Sequence, residues 1–317
     1  MNSGELFRRP APVAWRQVAA ITAGALGLYA FLRLLPTGTN LSHMDFRIDP
    51  KAGNSLEFCD PLEPQFIPVV AVRSPVAMTL ATSGPAVAGR EVRAVVALRT
   101  AGGKPIAPED LLVTHTRRLH LLLIDPTLSD YQHVHPAPGR RPGEWDFRFT
   151  PVRAGLYRIF GDFTPAATGR GLYASADLPV APVGATPAAA VGPPAPEPAA
   201  ARVEPRGYRF DLTVTPQPVR AGRPLELSFA LERLDGGLVA LEPIMGARAH
   251  LVAFDRARSG FAHLHPAEPE GPHLPAEPKP VLKFKLTIPR AGSFVVWAQV
   301  NLGGREEFAR FDLEVVE

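Results

Sequence analysis

The sequence has a single cysteine, Cys59, so no internal disulfide can form. That thiol shows no metal-ligand spacing with nearby His43 and Met44, and a small packed residue is its simpler reading. Charge is nearly balanced, at +3 over 317 residues, and the basic residues are scattered. This excludes the basic footprint of a nucleic-acid binder. A serine nucleophile elbow, a phosphate-binding loop, a dinucleotide fingerprint and a His-Glu-x-x-His motif are all absent, so the common hydrolytic and nucleotide chemistries have no anchor. From Pro75 onward no useful stretch has helical period.

What replaces helix is a series of short β-like runs broken by the 36 prolines and 27 glycines. Val76–Thr82, Glu91–Arg99, Arg118–Ile124, Asp130–Val134, Trp145–Phe149, Leu156–Phe163 and Tyr173–Val180 form a first set. Tyr208–Thr215, Pro224–Leu231, Ala249–Phe254, Gly260–Leu264, Val281–Ile288, Ser293–Val300 and Glu307–Val316 repeat it in order. Landmarks recur with the strands. Ala88-Gly89-Arg90 matches Ala221-Gly222-Arg223, and Arg153-Ala154-Gly155 matches Arg290-Ala291-Gly292. The spacing predicts an all-β chain of two tandem immunoglobulin-like sandwiches, over residues 75–181 and 207–317. Residues 182–206, rich in Pro and Ala, read as an extended linker between them.

Within each copy lies one histidine motif. His120 is followed thirteen residues later by His133-Val-His135-Pro136, and His250 by His263-Leu-His265-Pro266 at the same interval. Both copies carry an Asp five residues after the first His (Asp125, Asp255) and an aromatic two before the pair (Tyr131, Phe261). Six of the nine histidines occupy these positions. The turn-like stretches 125–130 and 255–260 make each copy a hairpin. His120 and His135 lie equally far from the centre of the first turn, as do His250 and His265 from the second, so each pair should stand opposed across its hairpin. Alternation puts His133 on the face of His135, and His263 on that of His265. Three imidazoles per copy then converge.

Convergent imidazoles suit copper or zinc, and three leave an open position on the ion. Asp162, at the end of the sixth strand, is a candidate to complete or orient the first site; its counterpart is Gln299. His115 and Met245, each five residues before the first His, are candidate extra ligands. A second reading makes His-x-His-Pro a structural corner, with imidazoles hydrogen-bonded to backbone and a role in recognising another protein of the envelope. A third gives a three-His ion a catalytic task. The reading preferred here is non-enzymatic metal handling or sensing.

The start of the chain is distinct. Residues 1–13 are polar with Arg8 and Arg9, and Ala14 to Leu35 is largely apolar. We expect an uncleaved transmembrane signal anchor over 14–35, with the start in the cytoplasm and the remainder in the bacterial periplasm as a single-pass inner-membrane protein. Residues 36–74 read as an extended segment lying against the first domain.

Tyr131-Gln-His-Val-His-Pro136, the downstream Ala154-Gly-Leu-Tyr-Arg-Ile-Phe-Gly-Asp-Phe163, and the second copy from Leu241 to Pro266 resemble motifs of bacterial envelope proteins with immunoglobulin-like domains. Those proteins stand near the YtkA-like and copper-handling periplasmic families. The resemblance covers both β-domains and neither residues 1–70 nor the linker. It implies an exported sandwich with a link to metal, copper first. The Met-rich tracts of many copper carriers are missing here, which departs from high-flux copper transfer.

Overall fold

Strands that must bury one face alternate apolar and polar residues, and those buried on both faces do not. Both kinds are present in a computed structural model that describes residues 14–34, 41–47, 64–184, 202–203, 206–267 and 275–317. The first repeat holds β1 (Val76–Thr82), β2 (Ala86–Val87), β3 (Val92–Thr100), β4 (Leu119–Ile124), β5 (Tyr131–Val134), β6 (Ala137–Pro138), β7 (Glu144–Phe149), β8 (Gly155–Phe163) and β9 (Leu172–Ala181). The second holds β10 (Arg202–Val203), β11 (Tyr208–Thr215), β12 (Pro224–Arg233), β13 (Leu241–Glu242), β14 (Ala249–Asp255), β15 (Phe261–Leu264), β16 (Val281–Thr287), β17 (Gly292–Leu302) and β18 (Glu306–Val315). The longer strands match the expected runs to within a residue or two. The four two-residue strands carry too little pattern to be seen in sequence.

Each repeat has two sheets. In the first they run β1-β3-β7-β6 and β2-β9-β8-β4-β5; in the second, β10-β11-β12-β16 and β13-β17-β14-β15, with β18 on β17. The two sheets of a repeat share one core, built in the first from residues such as Val96, Leu121, Trp145 and Tyr157, and in the second from Phe229, Leu251, Phe284 and Phe311. Full burial of such side chains stabilises by roughly 1.5–3 kcal/mol each.

The repeated landmarks are turns. Gly89 and Gly222 have φ of 73° and 69°, in the left-handed region that glycine enters without steric cost. The preceding alanines donate to the end of their repeat, Ala88 N to Ala181 O in β9 and Ala221 N to Val316 O just past β18. At Gly155, with φ of 132°, a Cβ would stand 2.7 Å from Pro126 Cγ.

β4 is buried at every position and β14 at all but its last, whereas β16 alternates exposed and buried along its first six residues. The reason is a third cluster. The five-stranded sheets of the two repeats stack on each other through faces turned away from their own cores. Leu122, Ile124, Tyr131 and Phe160 of one repeat meet Val252, Phe254, Phe261 and Trp297 of the other. Phe160 stacks on Phe254 at 6.1 Å, and Trp297 Nε1 donates to Leu128 O at 3.2 Å. Residues 41–317 accordingly form one unit. The aromatic of the histidine motif, Tyr131 or Phe261, belongs to this junction.

The stretch expected to lie on the first repeat touches both. Leu41 and Phe46 join the first core, and Lys104 pairs with Asp45 at 2.6 Å. Farther on, Phe66 enters the second core while Ile67 and Val69 enter the junction. Ile67 N donates to Phe261 O at 2.8 Å, which continues the sheet beyond β15. Cys59, residues 1–13 and most of the 182–206 linker lie outside the described residues.

The N-terminal unit contributes one helix, α1 (Trp15–Leu34), with its described side chains exposed. Among the described residues no helix is long and apolar enough to cross a membrane; the end of the expected anchor over 14–35 lies outside them. Arg16 and Gln17 open the helix with polar side chains.

Candidate metal centre

The hairpins have the register that the turn positions require. Leu121 pairs with Val134 and Leu122 with His133; Leu251 pairs with Leu264 and Val252 with His263. One step further along each ladder, His120 stands opposite His135 and His250 opposite His265. Their ring centroids are 5.0 and 4.7 Å apart. The Asp of the motif sets this register. Asp125 accepts from the backbone N–H of Thr127, Ser129 and Asp130, and Asp255 from that of Ser259, so both carboxylates organise turns and neither faces the histidines.

Each set of three, His120/His133/His135 and His250/His263/His265, offers ring nitrogens within 4.8 Å of one another. The hydrogen bonds assign the protons. His120 Nε2 lies 3.0 Å from Thr114 O, and His250 Nε2 lies 2.9 Å from Ile244 O. A carbonyl only accepts, so both Nε2 atoms carry a hydrogen and, in the neutral ring, each Nδ1 carries a lone pair. His133 Nδ1 lies 3.0 Å from Gln299 Oε1. The orientation of that amide is set because its Nε2 donates to Glu306 Oε2 at 2.9 Å. His133 Nδ1 is therefore the donor, and its Nε2 has the lone pair.

The consequence is a contact with no proton in it. His120 Nδ1 and His133 Nε2 face each other at 3.2 Å, lone pair to lone pair. The second triad has the same arrangement when Asp162 is ionised and accepts from His263 Nδ1, with His250 Nδ1 and His263 Nε2 at 3.1 Å. There His263 Nδ1 lies 3.2 Å from Asp162 Oδ2. The third members complete the pattern, because His135 Nε2 and His265 Nε2 are buried without a hydrogen-bond partner.

Protonation is a poor way to relieve these contacts. Burial pushes His133 and His263 well below the usual imidazole range, and neighbouring histidines add to the effect. Burial also lowers His135 to about 3 and His250 to about 4. A cation between the nitrogens satisfies all of them. Ligand nitrogens at ~2.0–2.1 Å around a tetrahedral ion stand ~3.3 Å apart, close to both observed separations.

The two triads also hold each other. His133 and His263 have ring centroids 5.2 Å apart across the junction, and each is oriented by a residue of the other repeat. Asp162 sits beside His120 in the β4–β8 ladder yet turns its carboxylate to the second triad; Gln299, its counterpart, serves the first. Asp162 thus orients the second site and not the first. Burial raises the Asp162 pKa, against the pull of His120 and His115.

His115 and Met245 occupy matching turns. Thr114–Arg117 and Ile244–Ala247 are closed by backbone hydrogen bonds in both directions, with positive φ at both central residues, 49° and 68° in the first, 53° and 81° in the second. His115 does not join the triad of its own repeat. Its ring stacks on His265, centroids 3.6 Å apart. A cavity of about 610 Å³ opens here, with His115, Asp162, His263 and His265 in its wall. Sequence reading missed Gln299 as an orienting residue and missed the junction that brings the triads together. The uninterrupted apolar runs of β4 and β14 were the available signal.

Fold and site together define a duplicated two-sheet β-protein with a three-histidine cluster in each copy. The chain belongs to the family described as a domain of unknown function (DUF8832), which matches residues 72–178 and again 201–317. That match supports the duplication and carries no copper or envelope assignment. No curated protein matches the chain. Among solved structures, red sea bream transglutaminase aligns over 77% of this chain and 32% of its own, at 11% identity and a TM-score of 0.24. The chain spans about a third of that protein's length, and a likeness at this score carries no structural argument.

Proposed function

We propose that the chain binds two transition-metal ions, one in each triad, and that its role is metal handling or sensing rather than catalysis. The observation that supports this is the pair of facing imidazole lone pairs, 3.2 and 3.1 Å apart, whose outer nitrogens are already committed to hydrogen bonds. Such outer partners fix ring orientation and tautomer at metal sites. Copper and zinc both accept imidazole, and the resemblance of the motif to copper-handling proteins favours copper. We read the two-sheet repeats as immunoglobulin-like. Membrane attachment forms no part of the proposal.

The structural-corner reading accounts for half of the geometry: His120 and His250 do bond backbone carbonyls. It gives no account of the inner nitrogens, because a structural cluster places a proton between them. Calorimetric titration of the full chain with Zn(II), Cu(II) and Cu(I) separates the two. The metal reading expects two ions per chain, one lost in His133→Ala/His135→Ala and the other in His263→Ala/His265→Ala. Absence of binding, together with an unchanged melting temperature in each metal, would leave the histidines structural.

A further inference from the structure

The two triads differ in what lies beside them. The cavity of about 610 Å³ is walled by His263 and His265 of the second triad, and none of His120, His133 and His135 lines it. Its size falls within the usual range for small-molecule sites, roughly 300–1,000 Å³. Three imidazoles leave a four-coordinate ion one position short, as in metal sites that bind an exogenous ligand. An ion in the second triad therefore has an unfilled position close to an open space.

The wall of that space selects for charge and shape. Arg170 and Lys285 contribute cationic side chains. Among the described lining residues the only acidic side chain is Asp162, and its Oδ2 is engaged by His263 Nδ1. The ion adds its own positive charge. Ile67, Tyr173 and Phe261 supply an apolar side. His115, stacked on His265 from a turn of the other repeat, closes the wall next to the histidines.

Resting on the metal reading above, we propose that the His250/His263/His265 site takes a small organic anion as an additional ligand, with a carboxylate or similar donor on the ion and an apolar body in the cavity. The first triad lines no part of this cavity.

The test uses the full chain loaded with Cu(II), its copper content measured, then titrated with azide and followed by visible absorption and electron paramagnetic resonance. One azide per chain should bind with a new charge-transfer band, and benzoate should displace it. The band should persist in His133→Ala/His135→Ala and vanish in His263→Ala/His265→Ala. Thr164→Trp, which fills the cavity without touching a ligand, should keep the copper content and weaken azide at least tenfold. Copper bound at both sites with no azide band, a band that follows the first triad, or failure of benzoate to displace azide would each overturn the inference. Failure to bind copper and zinc at all would instead overturn the metal reading on which it rests.

Discussion

At the scale of the residue, the account turns on which nitrogen carries a proton. Removing an orienting partner of a metal-bound imidazole typically costs 10–100-fold in affinity. Gln299→Leu should therefore weaken the first site by that factor and leave the second nearly unchanged, and Asp162→Asn should do the reverse; calorimetry on each variant checks both. Acid provides a second readout. These histidines have folded pKa values depressed from about 6.5 by burial, to about 4 at His250 and about 3 at His135. The unfolded chain then binds more protons, so the stability they allow is complete above pH ~6.5 and lost as pH falls toward 4 and 3. For His250 alone the loss is on the order of 3 kcal/mol. Denaturant midpoints of the metal-free protein should fall steeply between pH 6.5 and 4; a flat profile would show that the rings are not buried neutral. The motif histidines and their spacing were legible in the sequence because duplication marks them twice. Asp162 was read as a partner of the first site and Gln299 was given no role, since each serves the opposite repeat and intra-repeat spacing holds no trace of that.

At the scale of the element, two close approaches fix where chain segments sit. A Cβ on Gly260 would lie 1.8 Å from Ile67 O, so Gly260→Ala should prise residues 64–70 off the β15 edge. Loss of Phe66, Ile67 and Val69 from their apolar sites should then cost at least ~2 kcal/mol, read as a lower denaturant midpoint and faster amide exchange at Phe261. The Thr114–Arg117 turn offers the opposite sign. Thr116 is β-branched at φ 68°, where its counterpart in the second repeat is Gly246 at 81°. Thr116→Gly should stabilise by about 1 kcal/mol through relief of that backbone strain, measured by thermal unfolding. Strand positions and hairpin register could be read from sequence because alternation and turn residues are local. The helix over Trp15–Leu34 was legible as a helix from its apolar run. The two-residue strands and the course of 64–70 depend on backbone pairing with distant residues, which no local pattern encodes.

At the scale of the whole molecule, the two repeats work as one unit because their histidine-bearing sheets stack on each other. Phe160→Ala and Trp297→Ala, each in that junction, should destabilise by roughly 3–5 kcal/mol and weaken metal at both triads, since the orienting bonds cross the same surface. A pair of independent domains would show the effect in one repeat only. The junction was the largest feature not read from sequence, although the absence of alternation in Leu119–Ile124 and Ala249–Asp255 has burial on both faces as its physical cause. The measurement closest to the central claim is X-ray absorption fine structure on the full chain loaded with zinc. The account predicts two ions per chain, each with at least three imidazole nitrogens at ~2.0–2.1 Å and the outer-ring scattering of histidine. Zinc surrounded by oxygen alone, or failing to stay with the protein, would contradict it.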